Sequence, residues 1–245
     1  MDLQQARKNC IDTAKKAVAA SVNEDNFIIQ AVANIEELEK ACNALAHRIR
    51  EWYALHLPEA SVKLRDNEGF LRLILKQDKK AILKQLHVKD SMGANLKEKD
   101  LKPILEYTEG AKKLFEIKKD LEKYLETTMQ GYCKNLLYLA GPAIGGKLLS
   151  EAGSLKHLAT MPSTAIQLLG AEKALFRHLK TGAKPPRHGH IFAHPLIQAT
   201  KDKERGKVAR SLADKLALCV RADFFGENFI AEKLKKDLEV KFSGR

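Results

Sequence analysis

Aromatic residues supply only 6% of the 245-residue chain, and Trp52 is its one tryptophan. So few rings argue against a domain that stacks successive bases on many aromatic faces. No apolar run approaches the ~20 residues that a membrane-crossing helix needs. The opening segment, MDLQQARKNC, has no apolar signal region. The four cysteines, Cys10, Cys42, Cys133 and Cys219, form no Cys-x-x-Cys pair. They read as reduced, mostly buried thiols of an intracellular protein, with no zinc site. Convincing apolar–polar alternation is missing too, so no strand is expected and the predicted fold class is all-α. With 44% hydrophobic residues, the chain can still bury a sizeable core in one or two domains.

What the chain has in excess is positive charge, concentrated in one place. The formal net charge is +12. Gly170 to Arg221 holds twelve Lys and Arg against four acids, a net +8. Cations mixed with apolar residues that can fold suggest a packed domain meeting a polyanion. Residues 1–130 carry 23 bases and 21 acids, residues 131–226 carry 15 and 6, and residues 227–245 carry five and four. A nearly neutral segment followed by a strongly basic one suggests a spacer and a binder.

Helical periodicity dominates the rest. The stripe Ile28, Val32, Ile35, Leu38, Cys42, Leu45, Ile49, Trp52, His56 predicts one helix over 26–57, closed by Pro58. Its steps alternate mostly three and four, the seam of a coiled coil. Residues 59–94 read as shorter helices starting at Asp66 and Asp78, ending in a turn at Ser91–Ala94. Asn95 followed by Glu98 resembles a capping box. The stripe Leu101, Ile104, Thr108, Ala111, Leu114, Ile117, Leu121, Tyr124, Thr128 predicts a second long helix over 96–130. Two such helices joined by a compact tip make a long antiparallel coiled-coil hairpin. The predicted organisation is therefore a helical remnant or linker at 1–25, a coiled-coil arm at 26–130, a compact basic helical domain at 131–226 and a helical tail at 227–245.

Inside the basic domain, Ser163 is expected to cap a short helix and Gly170–Leu179 to form the next. Residues 181–195 make a loop rich in Gly, Pro and His, and a helix runs from Asp202 to Phe224. Lys203, Lys207, Arg210 and Arg221 fall opposite the apolar face Ala209, Leu212, Leu216, Val220. That line of charge suits a phosphate backbone.

Gly141 to Lys147 fits the GxxxxGK part of a phosphate-binding loop. Leu148 stands where Ser or Thr would hold magnesium, and residues 120–140 read as helix rather than strand. A helix bend with close packing accounts for it better than nucleotide hydrolysis. His188, His190 and His194 cluster beside Arg187. They could converge on a metal, contact base or phosphate, or simply sit in a surface loop. No carboxylate or thiol shares the loop, which disfavours the metal. No nucleophile–base pair and no paired carboxylates stand out, so no catalytic residue is expected and the chain reads as a binder, not an enzyme. Its basic part could meet RNA or, alternatively, dock on an acidic protein.

Several segments together resemble the Nop domain family, the scaffold proteins of box C/D guide-RNA particles. They are Gly170-Ala-Glu-Lys-Ala-Leu-Phe-Arg177, Pro186-Arg-His-Gly189, Ile191-Phe192, Arg205-Gly-Lys-Val-Ala-Arg210 and Ala222-Asp-Phe-Phe-Gly226. Leu139-Ala-Gly-Pro142 and Met161-Pro-Ser-Thr164 fit the same pattern. Arg50-Glu-Trp-Tyr53 with His56 and Pro58-Glu59, and Ser91-Met-Gly-Ala94, are similar to the family's coiled-coil arm in its archaeal form. The similarity covers roughly residues 26–226.

The resemblance implies an RNA-binding scaffold without cofactor or metal. It would bind a kink-turn guide RNA together with the small kink-turn-binding protein, and so help organise 2′-O-methylation of ribosomal or transfer RNA. Gly170, Ala171, Glu172 and Lys173 would face the kink-turn and that protein, and Ala174 to Arg177 would lie close to guide RNA. The loop with Arg187, His188 and His194 is similar to one that contacts a kink-turn in a spliceosomal relative. Gln167, Lys184 and Arg205 are counted with the same surface, and Lys207, Arg210 and Arg221 are added from the line of charge. The coiled coil would pair two copies, through Ile35, Leu38, Leu45, Ile49, Trp52, Leu114, Ile117 and Leu121. In the family a separate N-terminal domain holds fibrillarin. About 25 residues precede the arm here, too few for that domain, so fibrillarin is expected only if the native protein has it. The compartment implied is cytoplasmic in an archaeon or nucleolar in a eukaryote.

Overall fold

The computed structural model describes residues 3–226 and 228–242. Among them no strand occurs. The helices are α1 (Leu3–Ala20), α2 (Glu24–Ala54), α3 (Pro58–Lys63), α4 (Asn67–Lys76), α5 (Lys79–Gln85) and α6 (Glu98–Tyr132), then α7 (Lys134–Ala152), α8 (Leu155–Thr160), α9 (Ser163–Leu168) and α10 (Glu172–Thr181). A 3-10 turn (His190–Ala193) precedes α11 (Pro195–Gln198), α12 (Asp202–Phe225) and α13 (Ala231–Phe242). Among the described residues no helix is long and apolar enough to cross a membrane. The chain divides into two compact units, residues 33–122 and residues 1–32 with 123–245. The division cuts α2 and α6 themselves, inside the span that the sequence assigns to one arm.

In the 33–122 unit, Ala46, Ile49, Tyr53 and Leu57 pack with Ile104 and Ala111. Lys118 lies 3.6 Å from Glu39, so α2 and α6 run antiparallel as a hairpin. Thr108 sits in the seam without cost, because its hydroxyl donates to the Ile104 carbonyl at 2.7 Å. Phe70, Leu71, Ile74 and Ile82 fill the tip. Asp66 and Asp78 cap α4 and α5 as expected, accepting from Gly69 (2.7 Å) and Ala81 (2.9 Å). The Asn95–Glu98 capping box does not form. Lys79 claims the Asn95 side chain at 3.1 Å and also donates to the Gly93 and Ala94 carbonyls.

Arg50 locks the tip to α2. Its guanidinium donates to the Ser61, Leu64 and Asp66 carbonyls and to Asn67, 2.6–3.2 Å away, and lies 4.4 Å from the centre of the Phe70 ring. The expected seam drifts in phase. Tyr53 is buried where the sequence places Trp52, and Trp52 is 42% exposed. Likewise Leu125 and Met129 are buried, while Tyr124 is 47% exposed. An α-helix repeats every 3.6 residues, and a strict 3.5-residue seam slips off its buried face after a few turns.

In the other unit, α12 is the central helix, packed on α7, α8, α9, α11 and α13. Val208, Ala209, Leu212, Leu216 and Val220 form its buried face. α7 kinks where Gly141 takes φ 76 and ψ 166, just before Pro142. The bend and close packing expected at Gly141–Lys147 are present, with Gly145 and Gly146 buried. Asp25, near the start of α2, accepts from the Leu155 amide at the start of α8 (2.9 Å). Ser163 is the first residue of α9 rather than its cap; the capping position is Pro162, with no side-chain bond. The segment expected to form a helical tail contains α13, which packs into this unit by burying Ala231, Leu234 and Leu238. α1 buries nothing.

Buried Asn135 and half-buried Asp223 together hold three chain segments in this unit. Asp223 accepts from the Asn135 and Leu136 amides (2.9 and 2.8 Å) and from the Asn135 side chain (2.8 Å). Asn135, fully buried, donates also to the Asn228 carbonyl (3.0 Å) and accepts from the Ile230 and Ala231 amides (2.8 and 3.0 Å). Burial pushes the Asp223 carboxyl above its usual range, and these bonds offset part of that shift. Asn135→Ala should cost about 3 kcal/mol in urea denaturation, because it strands several buried polar groups at once. A loss under about 0.5 kcal/mol, the level of an ordinary surface change, would show that the pair holds nothing.

Candidate nucleic-acid interface

Backbone geometry joins the turn after α9 to the loop before the 3-10 turn. The Gly189 amide donates to the Gln167 carbonyl and the His190 amide to the Leu169 carbonyl, both at 2.8 Å. The Gln167 side chain donates to the Arg187 carbonyl at 2.6 Å. Two glycines make this fit possible. Gly170 takes φ +85, and a Cβ there would stand 2.3 Å from the His190 ring; at Gly189 it would stand 1.9 Å from the Leu169 carbonyl oxygen. Because Gly170 is left-handed, α10 begins two residues later than expected, at Glu172, whose carboxylate accepts from the Gly170 amide (2.7 Å).

This zipped pair forms one side of an open cleft of about 760 Å³, lined by Gln167, Pro186 and Arg187. α12 contributes Lys203, Gly206, Lys207, Arg210 and Ser211, and α13 contributes Lys241 and Phe242. Five cations line it, and among the described residues no carboxylate does. Lys241 is held in place by its bond to the Ser211 hydroxyl (3.0 Å). Arg187 lies 3.5 Å from Asp202, a pair exposed enough to be worth little.

The structure brings together in this cleft Gln167, Arg187, Lys207 and Arg210 of the predicted site, with Lys203 of the expected line of charge. Gly170, Ala171, Glu172, Lys173 and Arg177 lie on the adjoining turn and on α10, and Lys184 is exposed in the following loop. α10 has no buried residue and presents Phe176 and Leu179 to solvent. Sequence reasoning misses Lys241 and Phe242, because it ends the domain at residue 226. The apolar spacing Ala231, Leu234, Leu238 is the signal that this segment packs.

Other predicted residues are used differently. His194 is not at the surface; it is buried. Its Nδ1 accepts from the Leu196 amide (3.3 Å), so Nε2 carries the proton given to the Leu139 carbonyl (3.0 Å). Leu139 lies just before the kink in α7, where the helical ladder is interrupted, and His194 supplies a donor there. Arg205 bonds the Thr200 carbonyl (3.0 Å), lies 3.6 Å from Asp202, and sits over the Phe192 ring. His188 stacks on the same ring, 4.3 Å between centres. Arg221 bonds the Ala159 carbonyl (3.3 Å) and Asp214 falls between it and Arg210 on the helix, so the expected line of charge is broken. Among the described residues no cluster of His, Cys, Asp and Glu could hold a metal ion.

On the hairpin, Ile49 is fully buried in its own core, whereas Ile117 is 48% exposed. Ile35, Leu38, Leu45, Leu114 and Leu121 are half-buried.

Fold and cleft define an all-helical protein with an antiparallel hairpin and a cationic groove suited to a polyanion. The chain belongs to the Nop family, described as "snoRNA binding domain, fibrillarin", whose model matches residues 34–243. It is 40% identical over 240 residues to an uncharacterized NOP5 family protein of Methanocaldococcus jannaschii, covering 91% of this chain and 58% of that one. It is 38% identical over 216 residues to nucleolar protein 58 of Schizosaccharomyces pombe (81% and 42% covered). It is 34% identical over 242 residues to human nucleolar protein 56 (89% and 41% covered). The chain thus spans about half the length of these relatives. Its fold is similar to a chain in the crystal structure of a fibrillarin/Nop5p complex, with TM-score 0.58 and 24% identity over 98% of this chain and 77% of that one.

Burial, with Lys235 nearby, holds His194 below the ordinary histidine pKa, although the bond to Leu139 opposes the shift. An unfolded histidine takes up its proton near pH 6.5, and folded His194 does so only at lower pH. The unfolded chain therefore binds more protons in that interval, and stability falls as pH drops below about 6.5. His194→Gln, which can keep a donor toward Leu139, should flatten part of this loss in urea melts between pH 7 and 5. An unchanged slope would mean that His194 is not buried uncharged.

Proposed function

We propose that this chain is a non-catalytic, RNA-binding scaffold of a box C/D ribonucleoprotein. The cleft with five cations and no acid carries the reading, because phosphate contacts of that kind hold and orient RNA without reading its sequence. The ligand in this reading is a kink-turn guide RNA already carrying its small kink-turn-binding protein. The turn at Gly170–Lys173 and the exposed face of α10 meet that composite surface, and the bent RNA shape supplies most of the selectivity. In this reading the methyl transfer belongs to a partner. The names of nucleolar proteins 58 and 56 fit a nucleolar location if the source is a eukaryote, and the location proposed for an archaeon is the cytoplasm.

Lys207→Glu with Arg210→Glu should weaken binding to the protein-loaded kink-turn RNA by roughly tenfold or more in gel shifts at moderate salt. The slope of log affinity against log salt should shrink by about one for each phosphate no longer neutralised. Unchanged affinity, or a complex that survives nuclease treatment intact, would favour an acidic protein as the partner instead.

The hairpin is proposed to pair two copies, through the apolar residues left exposed beside its own core. Light scattering should then give twice the mass of one chain, and Ile117→Lys should return it to a single copy with helicity unchanged. A monomeric wild-type chain at micromolar concentration would sink this part.

A further inference from the structure

Gly206 stands inside α12, where glycine is among the poorest choices for helix stability. Internal packing does not explain it, since a Cβ at this position meets nothing within 4 Å. Its place in the cleft does offer a reason. Lys203, Gly206 and Arg210 follow one another along one stripe of the helix, three and four residues apart, and Lys207 is adjacent. All four line the cleft, as does Lys241 of α13. Gly206 is thus a gap in a row of long cationic side chains, where helix backbone rather than side chain forms the floor.

We propose that Gly206 is the point of closest approach of the bound RNA, where a stretch of phosphodiester backbone lies directly against α12 while Lys203, Lys207 and Arg210 flank it. The proposal rests on the RNA-binding reading and adds a steric determinant to it. A side chain here would lift the RNA off the helix and lengthen every flanking ion pair. Charge fixes where the polyanion goes; the missing Cβ fixes how near it comes.

The test uses the full chain, with the kink-turn RNA and its small binding protein as probe. Gly206→Ala and Gly206→Leu should both raise the urea midpoint, because both are better helix formers than glycine. Both should nevertheless weaken binding, slightly for Ala and by about tenfold for Leu, as the bulkier side chain holds the phosphates further from the cations. The salt dependence should stay that of the wild type, since no charge is removed. Gly110→Ala is the control. A Cβ there also meets nothing within 4 Å, and it lies in the hairpin unit, so stability should rise with binding unchanged. If Gly206→Leu binds like wild type while Lys207→Glu with Arg210→Glu does not, the close approach is wrong and RNA binding in the cleft stands. If wild type fails to bind the probe at all, both fall together.

Discussion

The basic cleft exists because Asn135 and Asp223 pin α13 beside α12. Asn135 must donate twice and accept twice from a fully buried position. Neither an aspartate nor an apolar residue of the same size can do both. Those bonds fix the start of α13 against the end of α12. Leu234 and Leu238 then carry the helix back along its neighbour, and Lys215 with Asp237 (3.0 Å) adds a tie further on. At the far end, Lys241 reaches Ser211. A wall of the cleft is therefore set by hydrogen bonds made at the opposite end of a twelve-residue helix.

The other wall depends on the kink in α7. Gly141 and Pro142 interrupt the helical ladder, and His194 answers with a proton on Nε2. That bond anchors the segment after the 3-10 turn. The segment before it is held by the ladder to Gln167 and Leu169. Gly189 is needed because the two backbones approach too closely for a Cβ, and Gly170 because its backbone is left-handed and lies against the His190 ring. Arg187 faces the cleft as the outcome of these backbone constraints, not of any bond that it makes with a ligand.

Periodicity carries most of the fold. The two long helices, the Asp66 and Asp78 caps, and the apolar face of α12 are all readable from spacing, since amphipathic burial and capping are local. Phase is not readable over many turns. The 3.5-residue seam and the 3.6-residue helix separate gradually, which puts Trp52 where Tyr53 is and Tyr124 where Leu125 is. The family resemblance locates the turn at Gly170 and the loop at Arg187, and the density of charge locates α12. Lys241 escapes both, because its role needs Asn135 to bring residue 230 back to residue 135, a pairing with no sequence-local trace.

Charge density and available charge are different quantities in this chain. Of the twelve bases between Gly170 and Arg221, four line the cleft: Arg187, Lys203, Lys207 and Arg210. Arg205 is occupied by Thr200, Asp202 and Phe192, Arg221 by the Ala159 carbonyl, and Lys215 by Asp237, and within the cleft Arg187 is shared with the Asp202 carbonyl and carboxylate. A guanidinium that already donates to a backbone carbonyl must break that bond to reach a phosphate, so it attracts a polyanion from a distance more readily than it grips one. In the proposed reading the surplus of cations steers a polyanion, and Lys203, Lys207 and Arg210 along the carboxylate-free groove hold it. A +8 segment therefore predicts the presence of a polyanion site better than its outline, because the outline is decided by which cations the fold has already paired.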